Sequence, residues 1–154
     1  MHKIITQIRD LYLIEEELNS NHSGIFAFVS NEKICQAAAT YIYRNKNVYI
    51  FINESEEVHF NLKLDSEASF TILKHEQKKL SPKAGFIPSY SLLSITITGT
   101  VKNLTEQKLV DDITGSYVLK YGKKSVQEKN EILPGVKILL IDTQEIQAFE
   151  EIGG

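Results

Sequence analysis

Apolar residues first recur at spacings of three and four. Ile4, Ile8, Leu11, Tyr12, Ile14 and Leu18 would share one face of an amphipathic helix over residues 3–19. Asn19-Ser20-Asn21-His22-Ser23-Gly24 ends that period with turn-forming residues. The pattern then changes to that of strands. Ile25-Phe26-Ala27-Phe28-Val29 is a short apolar run bounded by polar turns, and 34–43 and 48–52 flank a hairpin turn at Arg44-Asn45-Lys46-Asn47. Ala37-Ala38-Ala39 stand in mid-strand, where alanine is a poor choice. Either a bulky ligand lies close to the backbone there, or a helix crosses it.

Asn53-Glu54-Ser55-Glu56-Glu57 combines capping residues with carboxylates that complement a helix dipole, so a short helix is predicted from there to Asp65. A strand over 68–73 follows. Residues 74–89 are polar, carry Pro82, Gly85 and Pro88, and read as a long loop. In 92–101, Leu93, Ile95, Ile97 and Gly99 alternate with Ser94, Thr96, Thr98 and Thr100, the signature of a half-buried antiparallel strand. Thr105 opens a third helix, with Leu109, Ile113, Tyr117 and Tyr121 on one face and Gly122 as its C′ residue. Strands over 136–142 and 146–149 close the chain. Many antiparallel strands with few crossover helices predict a mostly β fold with flanking helices, closed into a barrel that leaves no exposed edge.

Composition narrows the partners. The 154 residues make one domain, 1–154. Seventeen Lys and Arg against twenty Asp and Glu give a net charge of −3, which speaks against nucleic-acid and membrane-surface partners. Cys35 is the one cysteine, so no internal disulfide can form, and its place in an apolar strand reads as a buried, inert thiol. No apolar run approaches the ~20 residues needed to span a bilayer, and no signal-peptide core is seen, so a cytoplasmic location is expected. His2, His22, His59 and His75 are not at metal-ligand spacing, and no metal site is expected. The G-x-S-x-G, dinucleotide-binding and P-loop signatures are missing. No side chain is assigned as catalytic; redox chemistry here would belong to a cofactor.

The stretch 47–70 carries a family likeness. In it Asn61-Leu62-x-x-Asp65-Ser66-x-Ala68-Ser69-Phe70 follows a strand end at Asn53 and a serine at Ser55. Later, Ser94-Ile95-Thr96-Ile97-Thr98-Gly99 leads through Lys102-Asn103-Leu104 into Glu106-Gln107-Lys108. Together these resemble the central motif and the strand–glycine–strand–helix segment of the pyridoxamine 5′-phosphate oxidase-like, FMN-binding split-barrel proteins. The resemblance implies a six-stranded antiparallel split β-barrel over 25–149, with the helix 3–19 before it. It implies a homodimer that binds FMN at the subunit interface and acts as an oxidoreductase on a small substrate.

By position in that motif, Thr40 lies on the strand that lines the flavin, and Phe51, Ile52 and Asn53 form the strand end that touches the ring. Ser55 and His59 surround the phosphate, and Asn61 belongs to the supporting helix. Where relatives place Lys or Arg beside that serine, this chain has Glu56, Glu57 and Val58. With Glu54 they set three carboxylates against a dianion. Protonated His59, Lys63, Lys74 and Arg44 are the candidate counter-charges. No Arg-x-His pair stands near the C-terminus, so oxidation of pyridoxamine phosphate itself is not expected. Two alternatives use the same barrel: a haem-binding, haem-utilisation protein, and a cofactor-free dimeric binding module.

Overall fold

Asp10 decides how the chain begins. Its carboxylate accepts a hydrogen bond from the Tyr12 N–H at 3.0 Å and so caps a helix, α1, over Leu11–Ser20. Residues Lys3–Ile8 before it form a strand, β1. The helix expected over 3–19 therefore starts only at Leu11. Ile4 and Ile8 satisfy a four-residue spacing, but they equally satisfy the two-residue alternation of a strand. The computed structural model describes residues 3–53, 61–78, 89–122 and 135–154.

The remaining elements are β2 (Ser23–Ser30), β3 (Lys33–Arg44), β4 (Asn47–Asn53), β5 (Glu67–Lys78), β6 (Ser89–Asn103), α2 (Gln107–Tyr121) and β7 (Val136–Gly153). The β2–β3 and β3–β4 hairpins turn on Asn31-Glu32 and Asn45-Lys46, with φ of 50°, 63°, 52° and 64°. Two left-handed residues match the twist of the flanking strands, and asparagine adopts that conformation readily.

Several expected boundaries move. β5 runs on to Lys78 and β6 starts at Ser89, so 74–78 and 89 of the expected loop are strand, and 79–88 are outside the described residues. The two closing strands are one, β7. Asn61 and Asp65 have φ of 45° and 62°, so the described part of the expected short helix is not helical; residues 54–60 are outside the described set. Gly122 caps α2 in an extended conformation, φ −84°, rather than as a left-handed C′ residue.

All seven strands lie in one antiparallel sheet, ordered β1-β7-β4-β3-β2-β5-β6, and β6 pairs with β7 as well, so the sheet returns on itself. The length of β7 allows this. One edge of it takes β4 over residues 136–141 and β1 over 148–153, while the other takes β6 over 139–153. Among the described residues there are seven strands where six were expected, and β1 is the one not foreseen. The β6–β7 ladder shifts register between Thr98 and Gly99, and a Cβ at Gly99 would run into the Asp142 carbonyl.

Alternation builds the interior. Phe26, Phe28, Tyr41, Ile50, Phe70, Ile72, Ile95, Ile97, Leu139 and Ile141 meet inside the sheet, and Ile14 and Leu18 of α1 join them. A second, smaller core lies outside, where Ile113 of α2 packs on Ile42, Tyr49, Phe51 and Ile138. Ala37 and Ala39 pack against the interior, whereas Ala38 points outward and is exposed. Cys35 is half-buried against the interior. Among the described residues, no helix is long and apolar enough to cross a membrane.

Candidate functional site

The strands β3 and β4 part beyond the pair Tyr41–Ile50. From there β3 continues beside β2, and β4 continues beside β7. Thr40 and Phe51 are the first residues past this fork, and both meet α2 at the same side chain. The Tyr117 hydroxyl lies 3.1 Å from Thr40 Oγ1, and its ring packs on Phe51 with centroids 4.0 Å apart. Tyr121, one turn on, packs against Tyr117 at 4.5 Å.

The Tyr121 hydroxyl repairs a gap in the sheet. The β2–β3 ladder ends at Ser23–Thr40, so Tyr41 needs another partner for its backbone groups. The hydroxyl accepts from the Tyr41 N–H at 3.1 Å and stands 2.8 Å and 2.6 Å from the carbonyl oxygens of Tyr41 and His22. It has one proton, so it donates to one carbonyl at a time. Burial, reinforced by Tyr117, raises its pKa, and the Tyr41 backbone hydrogen bond offsets part of that.

The other residues singled out in the sequence are more scattered. Ile52 faces the interior and is buried, so only its backbone reaches the fork. Asn53 is exposed at the end of β4, opposite Val136. Asn61 sits at the β2–β3 turn, donating from Nδ2 to Asn31 Oδ1 at 2.7 Å. That turn is seven strand residues from Thr40, roughly 20 Å at the usual rise, so Asn61 and Thr40 do not meet. Ser55 and His59, with Glu54, Glu56 and Glu57, lie outside the described residues. Of the candidate counter-charges, Lys74 is held by Glu17 at 3.1 Å and Glu76 at 3.5 Å. Arg44 stands at the β3–β4 turn, the opposite end of β4 from Asn53. Lys63 lies next to Asn61, its N–H bonded to the Val29 carbonyl.

Beyond Thr40 the outer face of β2, β3, β5 and β6 is open and carries mostly small uncharged side chains, Ala27, Ala38, Ser69, Thr71, Thr96 and Thr98, together with the exposed carboxylate of Glu67. Larger apolar groups stand among them, with Ile34 81% exposed, Leu73 59% and Ile25 40%. A shallow cavity of about 350 Å³ lies on this face between Val29, Ile34 and Thr96. Among the described residues, no cluster of His, Cys, Asp or Glu is arranged to hold a metal ion.

Sequence reasoning took Tyr117 and Tyr121 for the apolar face of a helix and missed their hydroxyls. Two tyrosines four residues apart on a buried face were the available signal, because each hydroxyl needs a partner there. Those partners are 77 and 80 residues away in the chain.

No known protein family and no curated protein sequence matches the chain. Solved structures do. The FAD-binding protein of Mycobacterium smegmatis superposes with a TM-score of 0.64 at 10% identity, over 96% of this chain and 99% of that one. A Corynebacterium glutamicum protein described as a pyridoxamine 5′-phosphate oxidase gives 0.58 at 12% identity, over 97% and 95%. The FAD and heme binding protein of M. smegmatis gives 0.67 at 12% identity, over 92% and 71%. At such identities the likeness is one of fold.

Proposed function

From the fold that this chain shares with pyridoxamine 5′-phosphate oxidase-like split-barrel proteins, we propose that it is a six-stranded split barrel, extended by β1, that binds FMN. It works as a flavin-dependent oxidoreductase on a small substrate. The observation that carries this reading is the parting of β3 from β4 beside an open face of mostly small, uncharged side chains. The residues at the fork fit a flat heteroaromatic ring. The Thr40 hydroxyl offers a donor or acceptor at its edge, the Phe51–Tyr117 pair makes an apolar wall, and Ala38 leaves the strand surface clear. The backbone of Ile52 and the side chain of Asn53 complete the ring site, and Ser55 and His59 take the phosphate.

A bound flavin supplies one- and two-electron chemistry, while the chain orients the ring and keeps water from it. The open face is also where a second copy docks. Exposed Ile25, Ile34 and Leu73 among small uncharged neighbours suit burial against a like surface. The site then lies at the interface of a homodimer in the cytoplasm. A second reading, haem binding, is favoured by the likeness to the FAD and heme binding protein.

The absorbance spectrum of the purified chain, before and after adding FMN or haemin, tests both. A flavin band near ~450 nm that survives gel filtration, with FMN as the flavin released on heating, is expected. A Soret band alone moves the assignment to haem. A colourless protein that retains neither overturns both and leaves the cofactor-free dimeric module.

A further inference from the structure

A cavity of about 380 Å³ opens between α1, the end of β3 and the last turns of α2. The geometry points to a second binding site there, for a small organic anion that carries a phosphate or carboxylate on an apolar body, with Arg44 and Lys120 as its charge partners. This inference does not rest on the flavin reading.

Two cations line this cavity, Arg44 and Lys120. Lys3, Lys74 and Lys102 each hold a carboxylate at 3.1–3.5 Å. Among the described residues neither Arg44 nor Lys120 forms such a pair, although acidic residues outnumber basic ones in the chain. Lys120 Nζ instead sits 4.1 Å over the Tyr41 ring centroid and 5.4 Å from that of Tyr121, and 3.5 Å from the Tyr41 carbonyl oxygen. These contacts orient the ammonium without neutralising it. Burial lowers its pKa to about 8. A half-buried cation with no counter-ion among the described residues is electrostatically incomplete, and an oxyanion between it and Arg44 would complete it.

The rest of the lining suits an amphipathic ligand. Ile42 and Leu119 form an apolar wall, and the Asn19 amide adds donors at the rim. The guanidinium of Arg44 can grip a phosphate or carboxylate through two parallel N–H donors. Glu15 and Glu17 of α1 are near enough to act on the Tyr43 and Tyr41 hydroxyls, but neither lines the cavity, and Glu17 is engaged by Lys74. The cavity adjoins the fork at Tyr41, which Lys120 touches, but Thr40, Phe51 and Tyr117 do not line it.

Titration of the ¹⁵N-labelled full chain with phenyl phosphate, benzoate and inorganic phosphate tests this by NMR. Phenyl phosphate or benzoate should give saturable shifts centred on Ile42, Arg44, Leu119 and Lys120, and the tighter of the two identifies the anion. Inorganic phosphate should bind more weakly than phenyl phosphate. Arg44→Gln and Lys120→Gln should each weaken binding about tenfold, as expected for loss of one charge-assisted contact. Arg44 is exposed at a turn, so its variant tests the site even if Lys120→Gln fails to fold. Shifts that do not saturate, shifts centred elsewhere, or undiminished affinity in Arg44→Gln would overturn the assignment.

Discussion

The interior of the barrel and the seam under α2 are both buried, but they are held differently. Inside, contact is chiefly between apolar side chains, with one directed bond from the Tyr41 hydroxyl to the Leu18 carbonyl: Phe70, Ile72, Ile97, Leu139 and Ile141 are closed to solvent, and their burial is non-directional. Under α2, five buried residues are supplemented by directed bonds from Tyr117 and Tyr121 to Thr40, Tyr41 and His22. The interior sets how stable the sheet is. The seam sets where β3 and β4 stand at their fork, which is where the candidate site lies.

The sharpest test of that contrast is Phe70→Ala. Phe70 is fully buried and packs on Tyr41 with ring centroids 4.7 Å apart. Its truncation should cost about 3–5 kcal/mol in urea unfolding. A cost under about 1 kcal/mol would mean that the interior is loosely packed and the contrast false.

Tyr121→Phe probes the seam next. The variant keeps the ring but leaves the Tyr41 N–H and two carbonyls without the hydroxyl, so about 1–3 kcal/mol is expected. The Tyr41 amide should exchange with solvent faster, while the amides of β6 and β7 do not change. A loss as large as that for Phe70, or uniform exchange, would make the seam part of one core.

Much of this division was legible in the sequence, though unequally. The strands β2, β3 and β4 follow from apolar runs between turns that carry asparagine, and β6 from strict alternation; all of these are local signals. The start of the chain misled, because Ile4 and Ile8 fit both periods and the deciding residue was Asp10. β7 was divided because Thr143-Gln144-Glu145 interrupts its apolar pattern. That stretch continues as strand because β6 pairs with both sides of it. At the site, Thr40, Phe51, Ile52 and Asn53 were reached by family resemblance. The hydroxyl partners Tyr117 and Tyr121 were not, since only the tertiary fold brings α2 over β3.

A smaller effect is expected from the Thr40–Tyr117 pair. A double-mutant cycle with Thr40→Val and Tyr117→Phe should return a coupling of about 0.5–1.5 kcal/mol. Zero coupling would leave the ring contacts of Tyr117 with Phe51 and Tyr121 to link it to the fork. Coupling that also shifts the flavin affinity would join the seam directly to cofactor binding.

The smallest effect separates the seam from the interior by pH. Burial lowers Lys120 from 10.5 to about 8, so above pH 8 the folded chain loses that proton while the unfolded chain still holds it. The unfolded state then binds more protons, and stability rises with pH through this window. Below pH 8 both states are protonated, and the folded one carries a charge that its surroundings disfavour. Above about pH 10 the trend reverses. Tyr41, Tyr43 and Tyr121 have raised pKa values, chiefly from burial, so the unfolded tyrosines ionise first. Lys120 is half-buried, and solvent screening reduces its contribution to on the order of 1 kcal/mol. Lys120→Met keeps an apolar stem and removes the titration. Urea unfolding of the two proteins at pH 8 and pH 10 should therefore show a gain in stability for the parent that the variant lacks. Equal changes in both would place the Lys120 amine in water rather than against the Tyr41 ring.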